Sequence, residues 1–140
     1  MKSNEILKPK TEKEILDAIG TLPPNKMLFS YAKFGSLEGV QKALGKGADI
    51  NHNDDFEGHT ALAIASVEGH FHIVNYLLDR NASICNFALI GAFERMDIFT
   101  TMLERVNLKE CHGLRIALEV ADDDNRTEIA NLIRERVKRG

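Results

Sequence analysis

The chain has 140 residues, of which 44% are hydrophobic and 28% charged, with a formal net charge of −3. This composition is typical of a single globular domain with a real core, and it argues against wholesale disorder. The mild acidity gives no general affinity for nucleic acid. No apolar run approaches the roughly 20 residues of a membrane span, so no membrane insertion is expected.

Residues 1–10 are expected to form a flexible leader. They lack the apolar core and the small-residue cleavage site of a secretory signal. The expected location is the cytoplasm, or a host cytosol if the protein is a secreted effector. Cys85 and Cys111 are far apart in the sequence and lie in apolar surroundings. They favour free thiols in a reducing compartment over a disulfide.

A short capping helix is predicted over residues 11–20. Thr11 and Glu14 stand at capping-box spacing, in which the threonine hydroxyl accepts from the glutamate amide while the carboxylate reaches back. The Pro23-Pro24 pair that follows predicts a stiff turn, since proline lacks an amide donor and restricts the residue before it.

Two related segments follow, each predicted to form two helices joined by a turn. Aligning Gly35 with Gly69 superimposes the apolar positions after each glycine and places Gly47 opposite Asn81. Glycine and asparagine best tolerate the left-handed conformation that follows a helix. A fixed period of roughly 33 residues indicates a solenoid whose units bury their apolar faces on each other. The predicted helices span about 26–33, 37–45, 60–67 and 71–79.

Two more degenerate units complete the pattern. The third, over 86–111, keeps both apolar stripes but lacks one residue and the glycine at its turn. The fourth, over 112–139, aligns with the second without a gap at an offset of 56, so that Asn125 matches Gly69. Its last helix, about 127–139, is polar on its far side, as the outer cap of a solenoid needs to be.

These residues resemble the ankyrin repeat, in which a β-turn precedes two antiparallel helices and a Thr-Pro-Leu-His tetrapeptide opens the first helix. Residues 60–63 read Thr-Ala-Leu-Ala, and residues 69–70 read Gly-His as in the family. The resemblance covers about 26–139. It implies an all-α, ankyrin-type α-solenoid of about four helix-turn-helix repeats, with an N-terminal capping helix and one or two short β-hairpin loops. The implied single domain spans 11–140, with repeats over about 26–53, 54–85, 86–111 and 112–139.

The resemblance also implies a function and a binding face. Ankyrin proteins typically dock another protein on the concave face formed by the first helices and the hairpin tips. A non-catalytic protein–protein interaction module is therefore expected, acting as adaptor, inhibitor or targeting subunit. The implied protein-binding residues are Lys33, Phe34, Asp54, Phe56, Glu57, His59, Val67, Glu68, Phe93 and Glu94.

The apolar members of this set would form a seam within a polar frame, the usual composition of binding hot spots. For Phe34 and Phe93, packing between adjacent units is the alternative role. The mildly acidic rim favours a partner with some basic character. The partner is expected to be a protein rather than nucleic acid or a membrane, and the chain to be a monomer.

A metal-dependent or hydrolytic enzyme is a less favoured alternative, based on the hairpin cluster His52, Asp54, Asp55 and His59. The spacing of this cluster matches no metal-ligand pattern, so a polar hairpin tip is preferred. The adjacent Cys111 and His112 lack an oxyanion-hole or phosphate-loop signature, so a structural thiol is preferred there. No enzymatic activity, metal or cofactor is expected. His70 is expected to cap its own helix.

Modification of the chain is a further alternative. Asn51 occupies the hairpin position that asparaginyl hydroxylases modify in ankyrin repeats. The resemblance therefore implies a possible substrate of such an enzyme, if the protein meets a eukaryotic cytosol.

Overall fold

The computed structural model describes residues 11–53, 59–109 and 112–140. Within these ranges the chain forms nine α-helices and no β-strand. None of these helices has the length and apolar character needed to cross a membrane. In chain order they are α1 (Glu12–Ile19), α2 (Pro24–Phe34), α3 (Leu37–Gly45), α4 (Ala61–Glu68), α5 (Phe71–Asp79), α6 (Asn86–Gly91), α7 (Met96–Arg105), α8 (Gly113–Asp123) and α9 (Thr127–Arg139).

After α1, the helices form four pairs stacked in a row. The first helices of neighbouring pairs pack side by side in the order α2, α4, α6, α8, and the second helices follow in the order α3, α5, α7, α9. Contacts are more extensive among the first, inner helices than among the second, outer ones. The inner helices therefore line the concave side of the stack. The predicted all-α solenoid is confirmed, while the tip of the predicted hairpin, at 54–58, lies outside the described residues.

Side chains that the sequence pattern singles out cap the helix starts. Thr11 Oγ1 accepts a hydrogen bond from the Glu14 amide at 3.2 Å, as the capping-box pattern predicts. Thr60 Oγ1 accepts in the same way from the Ala63 amide at 3.2 Å, so the retained threonine starts α4. Each cap satisfies one of the four amides that every helix start leaves unpaired.

Residues in the left-handed conformation end most of the helices. Gly35 and Gly69 have φ values of +98° and +78° at the turns after α2 and α4. Asn125 takes the same conformation after α8, with φ of +57°. Gly47 and Asn81, which follow α3 and α5, have φ values of +95° and +64°. The predicted exchange of glycine for asparagine at these positions is confirmed.

The diproline segment differs from its prediction. Helix α2 begins at Pro24 rather than near residue 26, because Pro24 occupies its first turn. The missing N–H of proline costs no hydrogen bond there, because the first N–H groups of a helix have no intrahelical partner. The fixed φ of proline also suits the first turn of a helix. Only Pro23, with φ of −57° and ψ of 152°, remains extended as part of a turn.

Small residues let the inner helices approach each other closely. Every residue of α4 from Ala61 to Ser66 is buried, and three of these six are alanine. A Cβ added at Gly91 of α6 would stand 2.6 Å from Val67 Cγ2. A Cβ added at Gly113 of α8 would stand 2.6 Å from the backbone nitrogen at the start of α6. The spacing of the inner helices thus depends on side chains that are small or absent.

Larger apolar side chains fill the space between the inner and outer layers. No buried side-chain nitrogen or oxygen within the described ranges lacks a hydrogen-bond partner. The core is therefore held by apolar packing without the cost of unpaired polar atoms. Fully buried side chains come from all four pairs, and they include Leu28, Val40, Leu62, Leu77, Leu89, Phe99 and Ile133.

The residues directly before α5 and α7, His70 and Arg95, have side chains that reach back to the turn of the preceding unit. His70 Nε2 lies 2.9 Å from the Lys33 carbonyl oxygen, to which it donates, and the ring covers Gly35. Arg95 lies over Gly69 in the same manner. The expected local cap at His70 is wrong, because its side chain makes no cap hydrogen bond and instead joins two units.

Arginines attach α9 to the unit before it. Arg136 Nε donates to the Leu103 carbonyl oxygen at 2.9 Å. Arg139 forms an ion pair with Glu104 at 2.8 Å, and this hydrogen bond and charge lower the pKa of the Glu104 carboxyl. Part of the polar side predicted for α9 therefore contacts α7 rather than solvent alone.

Replacing Gly113 with alanine should lower the free energy of unfolding by about 1–3 kcal/mol, because the new Cβ would overlap the Asn86 backbone, which cannot swing aside. Gly45→Ala is the matched control. Gly45 also lies in a helix, but no atom lies within 4 Å of its Cβ position. That change should be neutral or stabilising by up to about 1 kcal/mol. Chemical denaturation followed by circular dichroism measures both, and equal losses would contradict the close approach of α6 and α8.

Gly35→Ala should cost more stability when His70 is present than when it is absent. The alanine meets the unfavourable φ of +98° in both backgrounds, but its Cβ would stand 2.7 Å from His70 Cε1 only when the ring is there. A double-mutant cycle with His70→Ala should therefore give a coupling energy of about 0.5–3 kcal/mol. Urea denaturation of the four proteins supplies this value. Strictly additive losses would show that the ring does not rest on the glycine.

Candidate functional site

The concave side presents the C-terminal ends of the inner helices, where several predicted site residues lie. Lys33 and Glu68 are exposed at the ends of α2 and α4, and Glu94 is exposed in the turn after α6. Val67 is 46% exposed, while its Cγ2 covers Gly91 in the next unit. The structure therefore brings four of the predicted residues to one side of the stack.

Phe93 belongs to the core and not to the concave surface. Only 6% of it is exposed, and its ring makes an edge contact with Phe99, with centroids 5.7 Å apart. The Arg126 guanidinium covers the other side, 5.7 Å from the ring centroid. Helix α6 ends at Gly91, so Phe93 lies in the turn beyond the helix. Of its two predicted roles, packing is the one that the structure supports, and its binding role is corrected.

Phe34 is half-buried at the edge of a groove between the capping helix and the first unit. The groove has a volume of about 630 Å³. The part of Phe34 that lines it is accessible, while the remainder packs against the core. Both predicted roles of Phe34 are compatible with this placement. The groove is lined by Ile15, Ile19, Phe29, Ser30, Lys33, Phe34, Glu68 and His70.

The base of the predicted hairpin contacts the following unit. His59 is half-buried, and its ring meets the Phe87 ring edge-on, with centroids 5.3 Å apart. The other predicted hairpin residues, Asp54, Phe56 and Glu57, lie outside the described residues. Of the hairpin set, only His59 can therefore be placed, and it lies beside α6.

Two further apolar residues are exposed on the inner helices and were missing from the predicted set. Phe87 on α6 is 44% exposed, and Ile116 on α8 is 36% exposed. Each directly precedes an Ala-Leu pair, as Thr60 does at the start of α4. A large apolar residue in the place of a capping threonine is the signal by which the sequence could reveal them.

Val67, Phe87 and Ile116 lie on the consecutive inner helices α4, α6 and α8, and we call these three residues the apolar strip. Phe87 and Gly91 are four residues apart on α6 and therefore share a face, and Val67 covers Gly91. Ile116 lies on α8, which packs directly beside α6. The fourth large apolar residue exposed within the described ranges, Val137, lies on the outer helix α9. Three of the four large apolar residues exposed in the described part of the chain thus lie on the inner helices.

The candidate catalytic residues do not meet in the part of the chain that the structure describes. His52 is exposed, and its Nδ1 lies 3.3 Å from Asn25 Nδ2. The two aspartates of the predicted cluster lie outside the described residues, as does Cys111. Across residues 11–53, 59–109 and 112–140, no group of three or more potential metal ligands occurs. Cys85 is a free, half-buried thiol.

Asn51 has a structural role in addition to its predicted modification. Its Oδ1 accepts a hydrogen bond from the Ser83 amide at 2.8 Å, which links the first and second units. Asn25 Oδ1 accepts from the Asp49 amide at the same distance. The Asn51 side chain is exposed, and its hydroxylation stays a prediction.

Comparisons with known proteins match this architecture. The family model described as "Ankyrin repeats (3 copies)" matches residues 27–136. The chain is 27% identical over 106 residues to "Serine/threonine-protein kinase 12" of Arabidopsis thaliana, an alignment that covers 75% of this chain and 23% of the kinase. It is 38% identical over 73 residues to "Ankyrin repeat and KH domain-containing protein mask-1" of Caenorhabditis elegans, covering 50% of this chain and 3% of that protein.

The aligned region spans less than a quarter of either relative, so their names describe much longer proteins. The family match, in contrast, covers most of this chain and includes nearly all of the four helix pairs from α2 to α9. Repeats of this kind generally mediate protein–protein interaction and are generally non-enzymatic. The chain belongs to the ankyrin-repeat family.

Proposed function

We propose that this chain is a protein-interaction module that binds its partner on the concave side of the stack, with the apolar strip at the centre of the contact. The observation that supports this is the placement of exposed apolar side chains. Three of the four large ones within the described ranges lie on neighbouring inner helices. Exposed apolar residues framed by polar ones are typical of protein interfaces.

Burial of the strip supplies binding free energy. Burying a whole apolar side chain is worth about 1.5–3 kcal/mol, so each half-exposed residue of the strip contributes roughly 1 kcal/mol. A stable interface covers about 800 Å² on each partner, which is more than three side chains. The groove beside Phe34 extends the apolar surface toward the first unit, and its rim residues Lys33 and Glu68 supply polar contacts.

The strip is held by rigid elements, which favours binding. Val67, Phe87 and Ile116 each lie on a helix whose opposite face is buried in the stack. A partner therefore does not have to order the backbone that carries these residues, and less conformational entropy is lost on association. The module acts as adaptor, inhibitor or targeting subunit according to the partner it binds.

We further propose a monomeric, cytoplasmic protein without enzymatic activity, metal or cofactor. The inner helices form an open surface rather than the enclosed pocket in which catalytic groups converge. The free thiol of Cys85 is compatible with a reducing compartment. Gel filtration with light scattering tests the monomeric state.

A photo-reactive amino acid in place of Phe87 should cross-link a partner protein from a cell extract, whereas the same group at Val137 should not. The two positions are similarly exposed, at 44% and 54%, but only Phe87 lies on an inner helix. Mass spectrometry of the adducts compares them. Equal labelling from both positions, or labelling from Val137 alone, would place the interface elsewhere.

Phe87→Ala should then weaken capture of the cross-linked partner at least several-fold. Its thermal midpoint should change little, because substitutions at half-exposed surface positions usually alter stability by about 0.5 kcal/mol or less. Leu77→Ala is the contrasting variant. Leu77 is fully buried, and the cavity should cost about 2–5 kcal/mol of stability. Unchanged capture by folded Phe87→Ala would contradict the assigned face.

A further inference from the structure

We infer that the partner segment seated on the apolar strip is basic as well as apolar, with lysine or arginine side chains facing carboxylates at the C-terminal ends of the inner helices. This inference rests on the proposed function. The carboxylates concerned are Glu68, Asp123 and Asp124.

Two of these carboxylates lie at helix C-termini, where a basic residue would make the helix more stable. Glu68 is the last residue of α4, and Asp123 is the last residue of α8. Neither helix has a basic residue in its last turn. The C-terminus is the negative end of the helix dipole, so it disfavours carboxylates and favours cations. Residues that break a local stability rule in this way are expected at functional positions.

Ion pairs within the stack leave these carboxylates free for a partner. Arginines of the fourth unit neutralise the neighbouring Glu94 and Asp122. Glu68, Asp123 and Asp124, in contrast, form no ion pair within the described ranges. Their negative charge is therefore presented to whatever binds beside them.

Few basic groups near the strip are available to neutralise these carboxylates. Arg115 lies 3.8 Å from Glu119 in an ion pair along α8. Arg95 covers Gly69, next to Glu68, without closing an ion pair. Lys33 lies on the first unit, where it lines the same groove as Glu68 without forming an ion pair with it. In the described part of the chain, the three unpaired carboxylates of Glu68, Asp123 and Asp124 outnumber the unpaired Arg95, so the surface that a partner meets from the second to the fourth unit carries a net negative charge.

The apolar and acidic residues share the inner helices. Val67 precedes Glu68 directly, and Ile116 and Asp123 lie on the same helix, α8. Lysine and arginine have long apolar stems, which can cross the strip while their charged ends reach the carboxylates. Opposite charges at such a rim mainly raise the association rate and specificity. An acidic peptide or a nucleic acid would meet like charge here.

A peptide library displayed on phage, unbiased in composition, tests the inference when it is selected at low salt on the immobilised chain. The selected peptides should combine apolar residues with lysine or arginine, and their affinity should fall as ionic strength rises. Enrichment of acidic or uncharged peptides would overturn the inference. So would failure to select any binding peptide.

Charge reversal then tests the named carboxylates. Glu68→Lys combined with Asp123→Lys should weaken the selected peptides at least tenfold. The thermal midpoint should stay the same or rise, because each lysine complements a helix dipole. The matched control is Glu38→Lys with Glu135→Lys, which makes the same change in net charge on the outer helices α3 and α9. This control should leave the affinity nearly unchanged.

The two proposals fail in different ways. If the peptides lose affinity on Phe87→Ala but not on charge reversal at Glu68 and Asp123, the inferred basic character is wrong and the proposed binding face stands. If neither change affects them, both the face and its partner chemistry are wrong. Equal weakening by the outer-helix control would also overturn the inference, because the effect would then reflect net charge alone.

Discussion

The close approach of the inner helices is the constraint on which the rest of the structure depends. Three of the six buried residues of α4 from Ala61 to Ser66 are alanines, and a Cβ added at Gly91 of α6 or Gly113 of α8 would stand 2.6 Å from an atom of the neighbouring helix. The inner helices therefore lie closer together than the outer ones, and the stack curves. The exposed side of the inner helices forms its concave surface. Val67 rests on Gly91 and leaves nearly half of itself exposed as a result. The contacts that join the units thus also decide which side chains are exposed on the inner helices.

Most of the architecture could be predicted because its signals are local. The Thr60 cap and the left-handed Asn81 depend on a few consecutive residues, and the structure has both. The start of α2 at Pro24 was missed because proline can either break a helix or begin one, and the choice depends on what precedes it. The role of His70 was missed for a different reason. Its partner Gly35 belongs to another unit, so their contact exists only once the units stack.

The candidate site could be predicted only in part, since exposure depends on neighbouring units. Phe34 and Phe93 look alike in the sequence, yet only Phe93 is fully covered, because α6 is short and the turn directs it onto Phe99. Phe87 and Ile116 could have been noticed as apolar residues in the place of a capping threonine. Their exposure, however, follows from how α6 and α8 pack. In proteins that share a fold, affinity for one partner rather than another depends on surface side chains and not on the fold itself.

The contacts made by His70 and Arg95 have a direction along the chain. Each belongs to the unit that follows the turn it covers, so one turn is completed only when the next unit is present. A ribosome delivers the chain from its N-terminus, and Gly35 therefore stays uncovered until His70 has been synthesised and has folded. Gly69 likewise stays uncovered until Arg95 has been synthesised and has folded. Each unit of the nascent protein would thus become protected against proteolysis only after the next unit has been synthesised and has folded, and not as soon as it emerges itself.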